Sequence, residues 1–420
     1  METREKIVIV GGGFAGLQLA KNLSGKNKKV LLIDRVNHHM FQPLFYQVAC
    51  GRIEPSNISF PFRKIFQASR NVRYRMTNVQ SIVPEENKIL TEDAEFHYDK
   101  LVIATGCKTN FFGNEKMESL AFGMKNTQEA ISIRNHVLLT FEKLIMERSR
   151  SDDGNWNIVI VGSGPTGVEL AGAFAEMKKD ILPRDYPHMN FDNLNVILIS
   201  STDTPLSVMS EEAQAKSEKY LKDLGVKFMS GEVVTDYDGD EVSMASGKKI
   251  AANNVIWAAG VTGNVIEGLN PEIVVRNRYT VDRFNRVKGY DNIFAIGDIA
   301  YMETPKYPKG HPQVANVAIN QGKNLASNLA KKSGAAWKEY EYTDLGSMAT
   351  IGKHRAVVDL PGFKFQGVLA WYFWMFLHVM LILSVRNKLA VFFNWMWSYF
   401  NKDSSLRLII LPTKKNATEQ

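Results

Sequence analysis

Two glycine-rich turns carry the most specific chemistry in this chain. One reads GGGFAG at residues 11–16, the other GSGPTG at residues 162–167. Each follows a short apolar run, residues 7–10 and 158–161, and each opens into an apolar segment with helical spacing. In such a turn the first glycine allows a sharp exit from a strand. The second lets backbone approach a pyrophosphate, and the third brings helix close to strand. The helix N-terminus then offers unpaired N–H groups and a positive dipole end to phosphate. A tight strand–helix turn with no ligand is the alternative for either motif alone. At the first turn the following residues argue against it. Residues 29–33 read as a second strand ending in Asp34, whose carboxylate is placed to accept hydrogen bonds from an adenosine ribose. Two turns predict two bound dinucleotides, and with them electron transfer between a nicotinamide and a flavin.

The elements that must hold these turns are legible as alternating strands and helices. Residues 102–105 read as a strand closing on Gly106, and residues 126–150 as a long helix with a charged face. Residues 151–157 are polar and read as a linker. Residues 195–199 supply the second strand of the second unit, and residues 211–224 a helix ended by Gly225. Residues 255–258 lead to Gly260, and residues 292–296 to Gly297 and Asp298. This order predicts an α/β fold of two Rossmann-like dinucleotide-binding domains, one inserted in the other. The expected boundaries are 1–115 and 265–345 for a split flavin domain, 116–264 for an inserted NAD(P)H domain, and 346–420 for a separate C-terminal region.

Length and composition narrow the partners. A chain of 420 residues can build two or three sizeable cores. With only Cys50 and Cys107, a disulfide framework and a cysteine-rich metal site are excluded, and no metal is expected. The two are not at dithiol spacing, and each reads as a small buried apolar residue. Residues 1–6 lead straight into the first strand, so the expectation is a cytosolic, prokaryotic protein. The net charge of +7 comes without a basic helix or aromatic-basic platform, so no nucleic acid is expected. Attraction to anionic lipid headgroups fits the charge better.

The C-terminal part points the same way. Residues 366–384 carry no charge at neutral pH unless His378 is protonated, and they hold Trp371, Tyr372, Phe373, Trp374 and Phe376. Arg386, Asn387 and Lys388 interrupt before a second apolar stretch, residues 389–400, with Trp395 and Trp397. Helices that are apolar all round must be buried in protein or lipid. A spanning helix needs about 20 apolar residues, and residues 368–383 are fewer. Insertion at a bilayer surface and burial in a homodimer interface both remain as readings.

Longer runs identify a resemblance. HHMFQPLFYQVA at residues 38–49, IATG at 103–106, GVELAG at 167–172, IWAAGV at 256–261, FAIGD at 294–298 and SVRNK at 384–388 resemble type II NADH dehydrogenases, the single-subunit NADH:quinone oxidoreductases that pump no protons. The resemblance covers nearly the whole chain. It implies FAD on the first turn, with Gly11, Gly13, Phe14, Ala15, Gly16, Asp34 and Arg35, and with Gln42, Ala104, Thr105, Gly106, Gly297, Asp298, Val317 and Ala318 around it. Pro43 and Tyr46 lie in the signature near the flavin. Asp298 has a second reading as a helix N-cap. The resemblance implies NADH on Gly162, Gly164, Pro165, Thr166, Gly167, Ala259 and Gly260. Glu169 matches a glutamate near both rings and is the expected proton relay. Without the family it reads as a solvated carboxylate in the first turn of a helix. The implied oxidant is a membrane quinone, menaquinone or ubiquinone. The implied location is peripheral, at the cytoplasmic face of the inner membrane.

The chain departs from the family in two places. Where an acid usually meets the NADH ribose stands Ser200, followed by Ser201 and Thr202, so NADPH is possible. The family's AQxAxQxG run reads ANVAINQG at residues 315–322, with Asn316 and Asn320 in place of glutamines. Asn320 and Gln321 are the expected quinone partners. Rival readings share the architecture: a sulfide:quinone, disulfide or ferredoxin reductase, or a flavin-binding membrane adaptor without catalysis. The first needs paired cysteines near the flavin, which this chain lacks at the required spacing.

Overall fold

A computed structural model describes residues 4–147, 156–332, 334–401 and 406–411. Most of the expected linker, residues 151–155, lies outside the described residues. Contacts divide the chain into two compact units. Unit 1 comprises Met1–Met40, Ser59–Lys108 and Val261–Leu345. Unit 2 comprises Phe41–Ile58, Thr109–Gly260 and Gly346–Gln420. The helices used below are α1 (Phe14–Leu23), α2 (Thr127–Glu147), α3 (Pro165–Glu176), α4 (Ala315–Leu329), α5 (Val368–Leu381) and α6 (Val385–Asn401).

Unit 1 is built on a five-stranded parallel sheet. Its order is Ile293–Ala295, Lys100–Ile103, Lys6–Val10, Lys29–Asp34 and Val72–Met76. The central strand reads KIVIV and is buried over its last four residues, as expected for a parallel strand covered on both faces. Helices α1 and α4 pack against each other through small residues. A Cβ on Gly322 would lie 2.6 Å from the Ala15 carbonyl oxygen, so only glycine allows this approach.

Unit 2 repeats the plan with four parallel strands, ordered Lys227–Met229, Val196–Ile199, Ile158–Val161 and Asn254–Trp257. The repeat extends to hydrogen bonds at the strand ends. Gly11 N–H donates to Ile33 O at 2.8 Å and Gly162 N–H to Ile199 O at 2.8 Å. Ala104 N–H donates to Val10 O and Ala258 N–H to Val161 O, both at 2.7 Å. The doubly wound α/β class follows from these two sheets. The long helix expected over residues 126–150 is α2, described to Glu147.

Unit 2 also holds a three-stranded antiparallel sheet, Ser347–Thr350, Ala356–Leu360 and Phe363–Gln366, on which α5 lies. Ala370, Trp371, Trp374 and His378 form the buried face of α5. Its other face leaves Leu369, Phe376 and Met380 exposed. The Arg386–Asn387–Lys388 run does not separate two helices as the charge pattern suggested. It lies in the first turn of α6, and the break falls at residues 382–384. Ser384 explains this: its carbonyl accepts Lys388 N–H at 2.9 Å and its hydroxyl accepts Asn387 N–H at 3.4 Å. Lys388 Nζ then donates to the Met380 carbonyl at 2.8 Å, satisfying an orphan acceptor at the end of α5. Among the described residues no helix is long and apolar enough to cross a membrane.

Candidate functional site

The first glycine turn sits at the C-terminal end of the central strand of unit 1. Gly11 takes φ +103°, and a Cβ there would run into the Ala104 carbonyl. Gly13, two residues on, is exposed and has open space where a side chain would stand. Backbone there is free to meet a phosphate at the start of α1. Asp34 reaches back to the turn: its Oδ2 accepts Gly12 N–H at 2.6 Å and its Oδ1 accepts Val36 N–H at 3.0 Å. Burial raises its pKa against those two bonds, which pull the other way. A cleft of about 710 Å³ runs beside it, lined by Gly11, Asp34, Arg35, Thr77, Thr105 and Asn264 among others. Thr105 and Asn264 lock the cleft wall by a pair of bonds, Thr105 Oγ1 to Asn264 O at 2.7 Å and Asn264 Nδ2 to Thr105 O at 3.0 Å.

Under the turn, His39 stands edge-on to Phe14, 5.3 Å between ring centres. Burial lowers its pKa to about 4, so it is neutral. Its Nδ1 faces the Gly12 carbonyl at 3.1 Å and must carry the proton there, since a carbonyl only accepts.

Gly297 and Asp298 form a short 3-10 turn against α1 and α4. A Cβ on Gly297 would touch Ala15 at 3.0 Å and Ala318 at 3.4 Å. Asp298 caps no helix: it lies inside the turn, and its Oδ2 accepts the Cys107 thiol at 3.0 Å. Cys107 is therefore only half-buried and polar in its contact, unlike the apolar reading. Cys50 does fit that reading, being buried, with burial raising its thiol to about 11. On α4, Val317 is in the unit 1 core and Asn320 Nδ2 donates to Asn316 Oδ1 at 2.7 Å. Gln321 is wholly buried. Its Oε1 accepts Gly297 N–H at 2.7 Å, while its Nε2 has no partner among the described residues.

The second turn copies the first in backbone and differs in its polar closure. Gly162 takes φ +105°, and a Cβ would stand 2.6 Å from Ala258 and Ala259 backbone atoms. Gly164, Pro165 and Thr166 are exposed at the start of α3, while Gly167 is buried against the Gly162 carbonyl. Ser200 is buried and faces this turn. Its Oγ lies 2.6 Å from Ser163 Oγ and 2.9 Å from Thr202 Oγ1. A neutral hydroxyl cluster thus stands where Asp34 stands in unit 1.

One turn into α3 the chain places Glu169, and it is buried rather than solvated. Desolvation raises its pKa to about 8, opposed only by one long bond from Thr350 N–H at 3.4 Å. Glu169 lines a cavity of about 540 Å³, counted with its open mouth, whose walls are α3, the Ser347–Thr350 strand and helices α5 and α6. Trp371, Trp374 and Trp395 supply apolar wall, with Tyr46, Gln47 and Thr350 as polar groups. Arg52 closes one side. It pairs with Glu176, which also accepts the Lys353 N–H.

Sequence reading pointed to Tyr46 and Glu169 here, but it passed over Gln47, Arg52, Glu176 and Thr350. Gln42 opens a 3-10 turn and is half-buried. Nothing local marks Thr350. Only the strand pairing and the packing of α5 and α6 bring it to the cavity.

The family model for pyridine nucleotide-disulphide oxidoreductases matches residues 5–322, and that for the NDH2 C-terminal domain matches residues 345–402. A type II NADH:quinone oxidoreductase of Mycobacterium tuberculosis is 32% identical over 424 residues, covering 95% of this chain and 89% of the relative. The Plasmodium falciparum NDH2 solved in complex with NADH superposes with a TM-score of 0.89 at 21% identity, over 97% of this chain and 100% of that one. The sulfide:quinone oxidoreductase of Aquifex aeolicus shares the fold less closely, with a TM-score of 0.72 at 19% identity, over 95% of this chain and 96% of that one. The chain belongs to the type II NADH:quinone oxidoreductases and is an enzyme of that class.

Proposed function

We propose that the chain oxidises NADH and reduces a membrane quinone by way of FAD, without moving protons across the membrane. The overall reaction is NADH + H⁺ + quinone → NAD⁺ + quinol. One proton per NADH is taken up chemically, and none needs transport.

The first turn fits FAD. Gly13 leaves room for a pyrophosphate, Asp34 and Arg35 line the open cleft beside it, and Gln321 Nε2 is an orphaned buried donor beside the Gly297–Asp298 turn. Gly11–Gly16 backbone, Asp34, Ala104–Gly106 and Asp298 are the residues that would hold it. FAD, when bound, supplies the two-electron step between nicotinamide and quinone. Gln321 is reassigned from the quinone to the scaffold of this turn, because it is wholly buried and its carboxamide oxygen is taken, whereas Asn320 is half-buried and donates to Asn316. The second turn would take the NADH pyrophosphate, with Ser200 beside the adenosine ribose.

The quinone is assigned to the cavity of unit 2. The observation that carries this is a buried, proton-holding Glu169 in a chamber walled by tryptophans of the C-terminal helices. Below about pH 8 Glu169 keeps its proton and can give it to a reduced quinone oxygen, then refill from water. The outward faces of α5 and α6 expose Leu369, Phe376, Leu389, Phe393 and Trp397. Apolar side chains left outward on both helices suit a non-aqueous neighbour, and a bilayer surface is the occupant proposed here, with a homodimer covering part of it. The cytoplasmic face of the membrane follows from the reaction, since NADH is a cytosolic reductant.

Two assays test this reading. Released cofactor should chromatograph as FAD, and NADH oxidised should equal quinone reduced, mole for mole. Flotation with vesicles containing anionic lipid should carry the full chain to the top, and Phe376→Glu with Phe393→Glu should leave it at the bottom. FMN in place of FAD, unequal stoichiometry, or unchanged flotation would each count against the corresponding part.

A further inference from the structure

We propose that Thr350 is a hydrogen-bond donor to a quinone carbonyl oxygen, held in that role by a relay from Trp395 through Gln47 and Tyr46. The inference rests on the assignment of the quinone to the unit 2 cavity. All four side chains line that cavity and are buried.

The direction of each bond follows from what each group can do. An indole N–H only donates, so the Trp395 Nε1 contact at 2.6 Å fixes Gln47 Oε1 as its acceptor. That orients the carboxamide, and Gln47 Nε2 donates to the Tyr46 hydroxyl at 2.9 Å. The phenol oxygen is then an acceptor there. Either oxygen could donate in the 3.0 Å contact between Tyr46 and Thr350 Oγ1; with Tyr46 already accepting from Gln47, we assign its single proton to Thr350. In that assignment Thr350 accepts from Tyr46, and its hydroxyl proton is left for a third group. Burial and the nearby Glu169 carboxyl keep Tyr46 protonated, so it retains a proton to donate. The Thr350 N–H meanwhile touches Glu169 Oε1, which puts the hydroxyl donor and the proton-holding acid on one residue's two ends.

Quinone reduction makes this donor useful. As two electrons from NADH enter the quinone, its carbonyl oxygens become basic and take two protons. A preorganised donor aimed at such an oxygen gains strength as charge develops, so it acts more on turnover than on binding. The relay also ties α6, through Trp395, to the orientation of the reacting donor.

The test uses the full FAD-loaded protein and decylubiquinone as probe. Three tryptophans line the cavity, so binding reads as quenching of their fluorescence, independently of turnover. Thr350→Val keeps shape and loses the hydroxyl. We expect its quinone kcat to fall about tenfold or more relative to flavin bleaching by NADH, with the quenching midpoint moved about threefold at most. Thr350→Ser should recover most of the loss. Tyr46→Phe should fall between, because Thr350 keeps its hydroxyl but loses its orientation. Thr350→Val turning over like the unaltered protein, or Thr350→Ser as impaired as Thr350→Val, overturns the proposal. Ala173→Phe separates this failure from that of the cavity assignment. If filling the cavity leaves quenching and turnover unchanged, both fall. If filling abolishes them while Thr350→Val is unimpaired, only the role of Thr350 falls.

Discussion

The two glycine turns are near copies in backbone and opposites in polar closure. Gly11 and Gly162 share φ within a few degrees and make matching bonds to the neighbouring strand at 2.8 Å. Yet Asp34 closes the first turn with a carboxylate that takes two backbone N–H groups, while Ser200 closes the second with a cluster of hydroxyls. A charged acceptor bonds more strongly than a neutral one, by roughly a factor of two. On the proposed reading the first site keeps its nucleotide and the second releases one at every turnover. The two buried carboxylates differ in a parallel way. Asp34 has two backbone bonds that oppose its burial without cancelling it, whereas Glu169 is opposed by one long bond, and burial lifts its pKa to about 8.

The sharpest way to break this contrast is to damage one turn at a time. Gly11→Val should give protein without FAD, since no side chain fits beside Ala104. Gly162→Val should retain FAD and lose bleaching by NADH by about a hundredfold or more. Cofactor content and anaerobic bleaching check the pair, and FAD loss in both variants would erase the division of labour. Asp34→Asn comes next. Losing a charge-assisted bond worth about 1.5–3 kcal/mol should weaken FAD retention by roughly 10- to 100-fold, read by dialysis. Equal weakening of NADH by Ser200→Ala would deny that the two closures differ.

A smaller effect is expected from Ser200→Glu. A carboxylate there repels a 2′-phosphate and accepts from a 2′-hydroxyl, so the ratio of kcat/KM for NADH over NADPH should rise about tenfold. A further outcome concerns stability. Between the ordinary glutamate pKa of 4.5 and about 8, native Glu169 holds a proton that the unfolded chain has released. Stability should therefore decline as pH rises through that window. Thermal melts from pH 5 to 9 should show the decline, and Glu169→Gln should flatten it. In quinone turnover the same variant should lose an inflection near pH 8.

What sequence reading reached was local. The turns, Asp34 and the strands around them depend on a few adjacent residues, so spacing was enough. Glu169 was legible as a position but not as a buried acid, because its cover comes from Thr350 and from helices some 200 residues later in the chain. The start of α6 was hidden for another reason. Arg386 and Lys388 looked like an interruption, and only the carbonyls at the end of α5 reveal Lys388 as a cap. Cys107 read as apolar because its acceptor, Asp298, is remote in sequence.

The central claim is that one bound flavin takes electrons from NADH and yields them to quinone. Anaerobic double mixing tests it most directly: the holoprotein meets NADH first and decylubiquinone second, with flavin absorbance followed throughout. The account predicts bleaching in the first phase and full recovery of colour in the second. Yellow colour that persists under excess NADH, or bleached flavin that quinone does not restore, would contradict it.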